Sequence, residues 1–520
     1  MKKNYTPQWR LWLILAIQIS LFTFTHAQDT GGGDLLVAPL PELLKSEAGL
    51  SIESAAKWEE IRRNELLELF RDHVYGRIPE SDLSINHRLV FEDREALQGT
   101  AIQKEVVLEV CSGDETLEIG MLIFLPKDQS AAAPLFLGLN FNGNHTIHPD
   151  PRISLTKSWV RNNSSLGITD NRATEASRGA SSSRWSVDLI LSRGYGLATI
   201  YYGDIDPDFD DGFRNGIHGL VDPEASKREP DSWGSIAAWA WGLSRAMDYF
   251  ETDVEIDHKR VALMGHSRLG KTSLWAGASD ERFAMVVSNN SGCGGAALSR
   301  RPYGERVSNI NTSFPHWFAG RFHDYNDNEG ALPVDQHMLM AIVAPRPLYV
   351  ASALKDDWAD QRGEYLSLVY ASEAYKFYDP GISLSFEMPG VDQPVGSGLL
   401  GYHIRSGKHD VKRYDWEQYM DLADRHMNSS GSPEYENPLT MEWIDERLYG
   451  TSPRLILNPQ LEYRIWQQLD QGDSLVIQGM ELLGRSADSI LSLEPLVRKM
   501  TGKRLLGVSR EAIGLSLIHI

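Results

Sequence analysis

Cysteine is nearly absent: 520 residues contain only Cys111 and Cys293. Thiolate metal centres draw several closely spaced sulfur or imidazole ligands, so they are excluded. No His-x-x-x-His pair falls on a convincing helix either, and neither a metal nor a cofactor is expected. Basic residues are also in deficit. The 51 Lys and Arg stand against 71 Asp and Glu, a formal net charge of -20. Phosphate recognition requires a basic footprint, so nucleic acid is not an expected partner. Past the N-terminus there is no apolar run long enough to cross a bilayer.

The one long apolar run, residues 11–24, follows Lys2, Lys3 and Arg10 and ends at Thr25-His26-Ala27. That is the pattern of an export signal removed after residue 27, leaving a flexible leader over residues 28–37. The expectation is a secreted or periplasmic monomer with no stable membrane insertion after signal cleavage. Export would permit a disulfide, yet spacing alone does not bring Cys111 to Cys293, and a core this large needs no staple.

What remains is the composition of an ordinary globular enzyme, 42% hydrophobic and 23% charged, which argues against disorder. Residues 54–75 have helical periodicity, and residues 89–91, 106–108 and 121–124 read as early strands. Short apolar strands are then expected at 135–139, 196–200, 261–264, 284–287, 348–351 and 384–387. Helical stretches such as 235–249 and 272–279 separate them. Continuous apolar strands alternating with helices predict a mostly parallel sheet covered by helices on both faces, a three-layer α/β sandwich. Chemistry in such sheets gathers in loops beyond the carboxyl ends of the strands. This catalytic domain is expected over residues 38–428, followed by a linker over 429–460 and a helical tail over 461–520.

The strongest local signal is Gly265-His266-Ser267-Arg268-Leu269-Gly270-Lys271. An apolar strand runs into a tight turn carrying Ser267, and a helix follows. This is the strand–turn–helix setting of the nucleophile elbow in α/β-hydrolases, although Leu269 replaces the last Gly of Gly-x-Ser-x-Gly. In that class the order is Ser, acid, His. The acid is expected after the strand at 348–351, where Lys355-Asp356-Asp357-Trp358-Ala359-Asp360 stands. The base is expected after a strand near Phe386, from His403 or His409, with His409 favoured in its Gly407-Lys-His409 loop. His403 and His337 read as structural. The loop from Asn140 to His145 occupies the position that supplies an oxyanion-hole N–H, and the guanidinium of Arg268 can stabilise the oxyanion directly or bond an oxygen-rich substrate.

These residues resemble a particular family. Gly265-His-Ser267-Arg268-Leu-Gly270-Lys271 is similar to the Gly-x-Ser-Arg-x-Gly-Lys motif of glucuronoyl esterases, carbohydrate esterase family fifteen. The likeness continues through Gly203-Asp204-Ile-Asp206-Pro207-Asp208, Arg300-Arg301-Pro-Tyr-Gly304-Glu305, Phe314-Pro-His-Trp317 and Trp358-Ala-Asp360, and looks closest to the bacterial branch. It implies hydrolysis of esters between (4-O-methyl)glucuronic acid of xylan and lignin alcohols. It also implies Ser267 as nucleophile, His409 as base, Arg268 at the oxyanion, and Lys271, Glu305 and Trp358 on the uronate. One departure stands out: Asn290 occupies the position where many members carry a Glu, so the resemblance to bacterial members implies Asp356 as the acid, with Asp357 as second choice. Another polysaccharide acetyl or methyl esterase on the same scaffold is the alternative, as is a carbohydrate-binding relative with impaired catalysis.

Overall fold

Ten strands form one sheet in the order β1-β2-β3-β5-β4-β6-β7-β8-β10-β9 in the computed structural model. The structure describes residues 35–127, 130–222 and 228–427, plus three short strands beyond them. The expected signal peptide and linker lie outside the described residues. β1 (Ser84–Glu95), β2 (Ala101–Ser112) and β3 (Glu115–Pro126) run antiparallel along one edge. β5 (Gly196–Tyr201), β4 (Ala133–Asn140), β6 (Ile256–His266), β7 (Met285–Asn289), β8 (Leu348–Ala353) and β10 (Leu400–Arg405) are mutually parallel. β9 (Val395–Ser397) closes the far edge antiparallel to β10.

The sheet divides the core in two, because successive strand residues point to opposite faces. Leu135, Leu137, Val261, Leu263, Val286, Leu348 and Val350 pack on one side, beside helices α2 (Ser235–Phe250) and α4 (Gln336–Ile342). Phe136, Ala262, Met264, Met285, Val287 and Tyr349 pack on the other, with α1 (Val187–Ser192) and α6 (Arg413–His426). Each central strand is therefore apolar on both faces, which is why it reads as a continuous hydrophobic run. Helices α3 (Arg268–Ser279) and α5 (Gln361–Tyr375) complete the α2 side.

One expectation changes. Residues 384–387 are not a strand: Phe386 is exposed, Tyr365 Oη donates to the Ser385 carbonyl, and Arg362 Nη1 donates to that of Phe386. The sheet position belongs to β10, whose polar residues His403 and Arg405 mask its strand character. Both are buried and share the carboxylate of Asp415, at 2.8 and 2.9 Å. Within the expected helical tail, Leu475–Ile477 and Gly507–Val508 are extended, each pairing antiparallel with Ser516–His519. Cys111 and Cys293 are both free thiols. No helix among the described residues is long and apolar enough to cross a membrane.

Candidate active site

The turn after β6 holds Ser267 at φ +58° and ψ −129°, a backbone region costly for a residue with a Cβ. Its neighbours explain the altered spacing of the motif. A Cβ at Gly265 would sit 1.9 Å from the Leu269 carbonyl oxygen, so no side chain fits there. A Cβ at Gly270 would press on the Ser291 side chain at 2.9 Å. Position 269, by contrast, points into the core, where Leu269 is buried. The tight packing contact is thus met one residue later than in Gly-x-Ser-x-Gly. Helix α3 opens at Arg268, directly after Ser267, and its first N–H groups have no intrahelical acceptor.

The sheet order places the ends of β6, β7, β8 and β10 side by side. His409, four residues beyond β10, sets its Nδ1 2.6 Å from Asp356 Oδ2, three residues beyond β8. The two loops are stitched together by backbone bonds, Leu354 N to the Arg405 carbonyl at 2.9 Å and Lys355 N to that of Gly407 at 2.8 Å. Arg405 also donates to the carbonyls of Ser406, Lys408 and Asp410 while its Nε is held by Asp415. The loop bearing His409 is therefore clamped from below. Asp357 is exposed, and its carboxylate meets Gln361 at 3.5 Å.

His403 and His337 are structural, as their neighbours show. His403 is fully buried between Asp415 and Tyr349 Oη. His337 lies 3.3 Å from the Pro41 carbonyl, and burial pushes its pKa down to about 4. His266, beside Ser267, bonds Asn289 Oδ1 at 2.6 Å; burial and the nearby His409 hold its pKa well below the ordinary value.

Arg268 donates Nη1 to Asp208, and its guanidinium lies over the Trp317 ring at 4.7 Å and the Phe314 ring at 5.5 Å. Asp208 is fully buried and also accepts from Tyr202 Oη at 2.8 Å, Trp317 Nε1 at 2.8 Å and His316 Nε2 at 3.0 Å. Burial would raise this carboxyl, but His316, Arg268, Trp317 and Tyr202 together hold it well below the usual range. Arg268 Nε is buried and, among the described residues, has no acceptor. Asp208 was within reach of sequence reasoning only as part of a motif block; its bond to Arg268 spans 60 residues. In the loop after β4 the Gly143 N–H donates to Asn140 Oδ1 at 2.8 Å.

Ser267, Arg268, His409 and Asp356 line one cavity of about 230 Å³ together with Lys271, Glu305 and Trp358. Lys271 Nζ is buried, donating to the carbonyls of Ser291 at 2.5 Å and Cys293 at 2.6 Å, with Glu305 at 3.6 Å. Trp358 is 58% exposed although it walls a cavity, as an indole awaiting a ligand would be. Asn290, at φ +47°, donates Nδ2 to the same Asp356 oxygen that His409 meets, at 2.8 Å. Among the described residues, no three His, Cys, Asp or Glu side chains converge as a metal site would require.

A parallel sheet covered on both faces, with a strained serine at a strand-to-helix turn beside a His–Asp pair, defines an α/β-hydrolase. The comparisons are more specific. The family model for fungal glucuronyl esterases matches residues 228–379. Carbohydrate esterase MZ0003, from an unknown prokaryotic organism, is 50% identical over 392 residues, which is 75% of this chain and 89% of that protein. The structure of a promiscuous CE15 esterase from a marine bacterial metagenome has 49% identity and a TM-score of 0.70, covering 75% of this chain and 97% of its own. The glucuronoyl esterase of Solibacter usitatus has 44% identity, also with a TM-score of 0.70, over 75% of this chain and 98% of its own. The chain belongs to the glucuronoyl esterases of carbohydrate esterase family 15.

Proposed function

We propose that this carboxylic-ester hydrolase cleaves esters of (4-O-methyl)glucuronic acid on xylan with lignin alcohols, through Ser267, His409 and Asp356. The observation that carries the reading is convergence: a serine on a strained turn, a His–Asp pair and fixed sugar-binding groups share one cavity. Asp356 accepts from His409 Nδ1, leaving Nε2 on the opposite edge of the ring to take a proton. His409 removes the Ser267 proton as Oγ attacks the ester carbonyl. The oxyanion is met by Arg268 and the first N–H groups of α3. Protonated His409 then delivers its proton to the departing alcohol. Water, deprotonated by His409, releases the glucuronate and restores Ser267.

The unpaired Nε of Arg268 supports its oxyanion role, because a buried donor without an acceptor costs about 1–3 kcal/mol unless a ligand supplies one. Lys271 and Glu305 suit the hydroxyls of a uronate, and Trp358 suits its C–H face. A cavity of about 230 Å³ is small and takes a single sugar ring, so the xylan chain and the alcohol extend beyond it. We place the catalytic domain at residues 38–428, exported as a monomer after loss of residues 1–27. The lysine-flanked apolar run supports the export, and the relatives' coverage of 75% of the chain supports the boundary.

Benzyl glucuronate, benzyl galacturonate and acetylated xylan, compared at equal enzyme, test the substrate. The glucuronate ester is expected to be hydrolysed with the highest kcat/KM. Preferential release of acetate would overturn the assignment in favour of a general polysaccharide esterase, a reading favoured by the promiscuous marine relative.

Asp208 gives a second test. Asp208→Asn keeps the shape but leaves Arg268 without its anionic partner, and kcat is expected to fall by about 10²-fold, approaching the loss of one oxyanion donor. In an Arg268→Ala background the same change should cost little, since the residue it acts through is gone. Equal losses in both backgrounds would show that Asp208 acts elsewhere.

A further inference from the structure

Helix α5 buries a carboxyl group that the proposed reaction does not use. Glu364 is fully buried beneath the cavity floor. Its Oε1 accepts from the backbone N–H groups of Ser291 at 2.7 Å and Gly292 at 3.0 Å. Its Oε2 lies 2.6 Å from Ser352 Oγ on β8, which in turn accepts from Tyr402 Oη at 3.0 Å. Two adjacent N–H groups converging on one oxygen form a small anion-binding concavity, here filled by a side chain of the same protein.

The turn held in this way touches the site twice. Asn290, the residue immediately before it, donates to Asp356, the partner of His409. The carbonyls of Ser291 and Cys293 hold the ammonium of Lys271. Asn290 and Gly292 both have positive φ, +47° and +57°; glycine adopts this freely, so the backbone cost of the turn falls on Asn290. Without Glu364, two buried N–H groups would lose their acceptor, and moving the turn is the cheapest way to rehydrate them.

Resting on the function proposed above, we infer that Glu364 is a positioning residue that sets the acid and the uronate clamp together by pinning the Ser291–Gly292 turn. The group acts as a hydrogen-bond acceptor and not as a charge. Burial, helped by the nearby Asp356 carboxylate, pushes its pKa up to about 8 against the opposing effect of the Gly292 and Ser291 N–H groups and the Ser352 hydroxyl. An amide of the same shape keeps the acceptor for the two N–H groups, while the Ser352 hydroxyl, which donates to Oε2 in the wild type, turns to accept from the amide nitrogen.

The test compares E364Q, E364D and E364A on benzyl glucuronate, with binding of free glucuronate measured calorimetrically in each variant carrying Ser267→Ala. E364Q is expected to stay within about threefold of the wild type in both kcat and KM. E364D draws the carboxyl back by one methylene, and E364A removes it. Both should lower kcat at least tenfold, raise KM and weaken glucuronate binding in parallel. Folded E364D or E364A with wild-type kcat and KM would overturn the role, as would E364Q falling as far as E364D. Where E364A does not fold, the contrast between E364D and E364Q decides. Failure of the wild type on this ester would sink the functional reading, whereas a wild-type-like E364D sinks only the role of Glu364.

Discussion

Ser267→Ala is expected to lower kcat on benzyl glucuronate by a factor on the order of 10⁵–10⁶ while free glucuronate still binds. The change removes one oxygen and keeps the Cβ, so the turn at φ +58° meets the same steric cost and the fold survives. What is lost is the covalent intermediate that divides a difficult hydrolysis into two easier transfers. Lys271, Glu305 and Trp358 remain in place, which is why binding and catalysis should separate. Rates of ester cleavage and calorimetric binding of glucuronate check this. A variant retaining more than a few per cent of wild-type kcat would mean that another group makes the attack.

Asp356→Asn is expected to cost about 10³–10⁴-fold in kcat with little change in KM. The carboxylate accepts from His409 Nδ1 at 2.6 Å and from Asn290 Nδ2 at 2.8 Å through the same oxygen. An amide nitrogen presented there would donate to Nδ1 and fix the opposite tautomer, with the proton on Nε2, where it cannot accept from serine. Asn290 does not compensate, since its nearby amide carries no charge to balance an imidazolium. Asp357→Asn, exposed and directed toward Gln361, should leave kcat within about twofold. Equal losses at 356 and 357 would remove Asp356 from its assigned place.

Asn290 illustrates how such a site keeps its geometry when a residue type changes. A Glu there would stand against Asp356, and two carboxylates sharing one histidine would compete for a proton. With Asn in place, the same backbone position supplies a donor to the acid. The departure noticed in the sequence is therefore consistent with the acid at Asp356, and the hydrogen bond supplies its physical reason.

Much of the scaffold could be read directly. Residues 135–139, 196–200, 261–264 and 348–351 are strands because burial on both faces demands unbroken apolar runs, a pattern visible without any partner. The turn carrying Ser267 was legible for the same reason, as glycine spacing over six residues reports a steric requirement that is entirely local. Strand β10 was not. Its Gly401, His403 and Arg405 dilute the hydrophobic signal, and Asp415, on a later helix, partners both polar side chains where they are buried. Residues 384–387 alternate like a strand but have their carbonyls bound by side chains of α5.

Local spacing thus sets the elements, the serine on its turn and the chemical types available around it, because these depend on sterics and hydropathy within a few residues. Pairings across the sheet belong to the fold. His409 meets Asp356 across 53 positions, Arg268 meets Asp208 across 60, and Ser291 meets Glu364 across 73. Each pairing exists because the order β5-β4-β6-β7-β8-β10 brings distant loop ends together, where a hydrogen bond needs agreement to a few tenths of an ångström. Ser267 could be picked out from its own turn, whereas the groups that hold its partners in register exist as a set only once the sheet has formed.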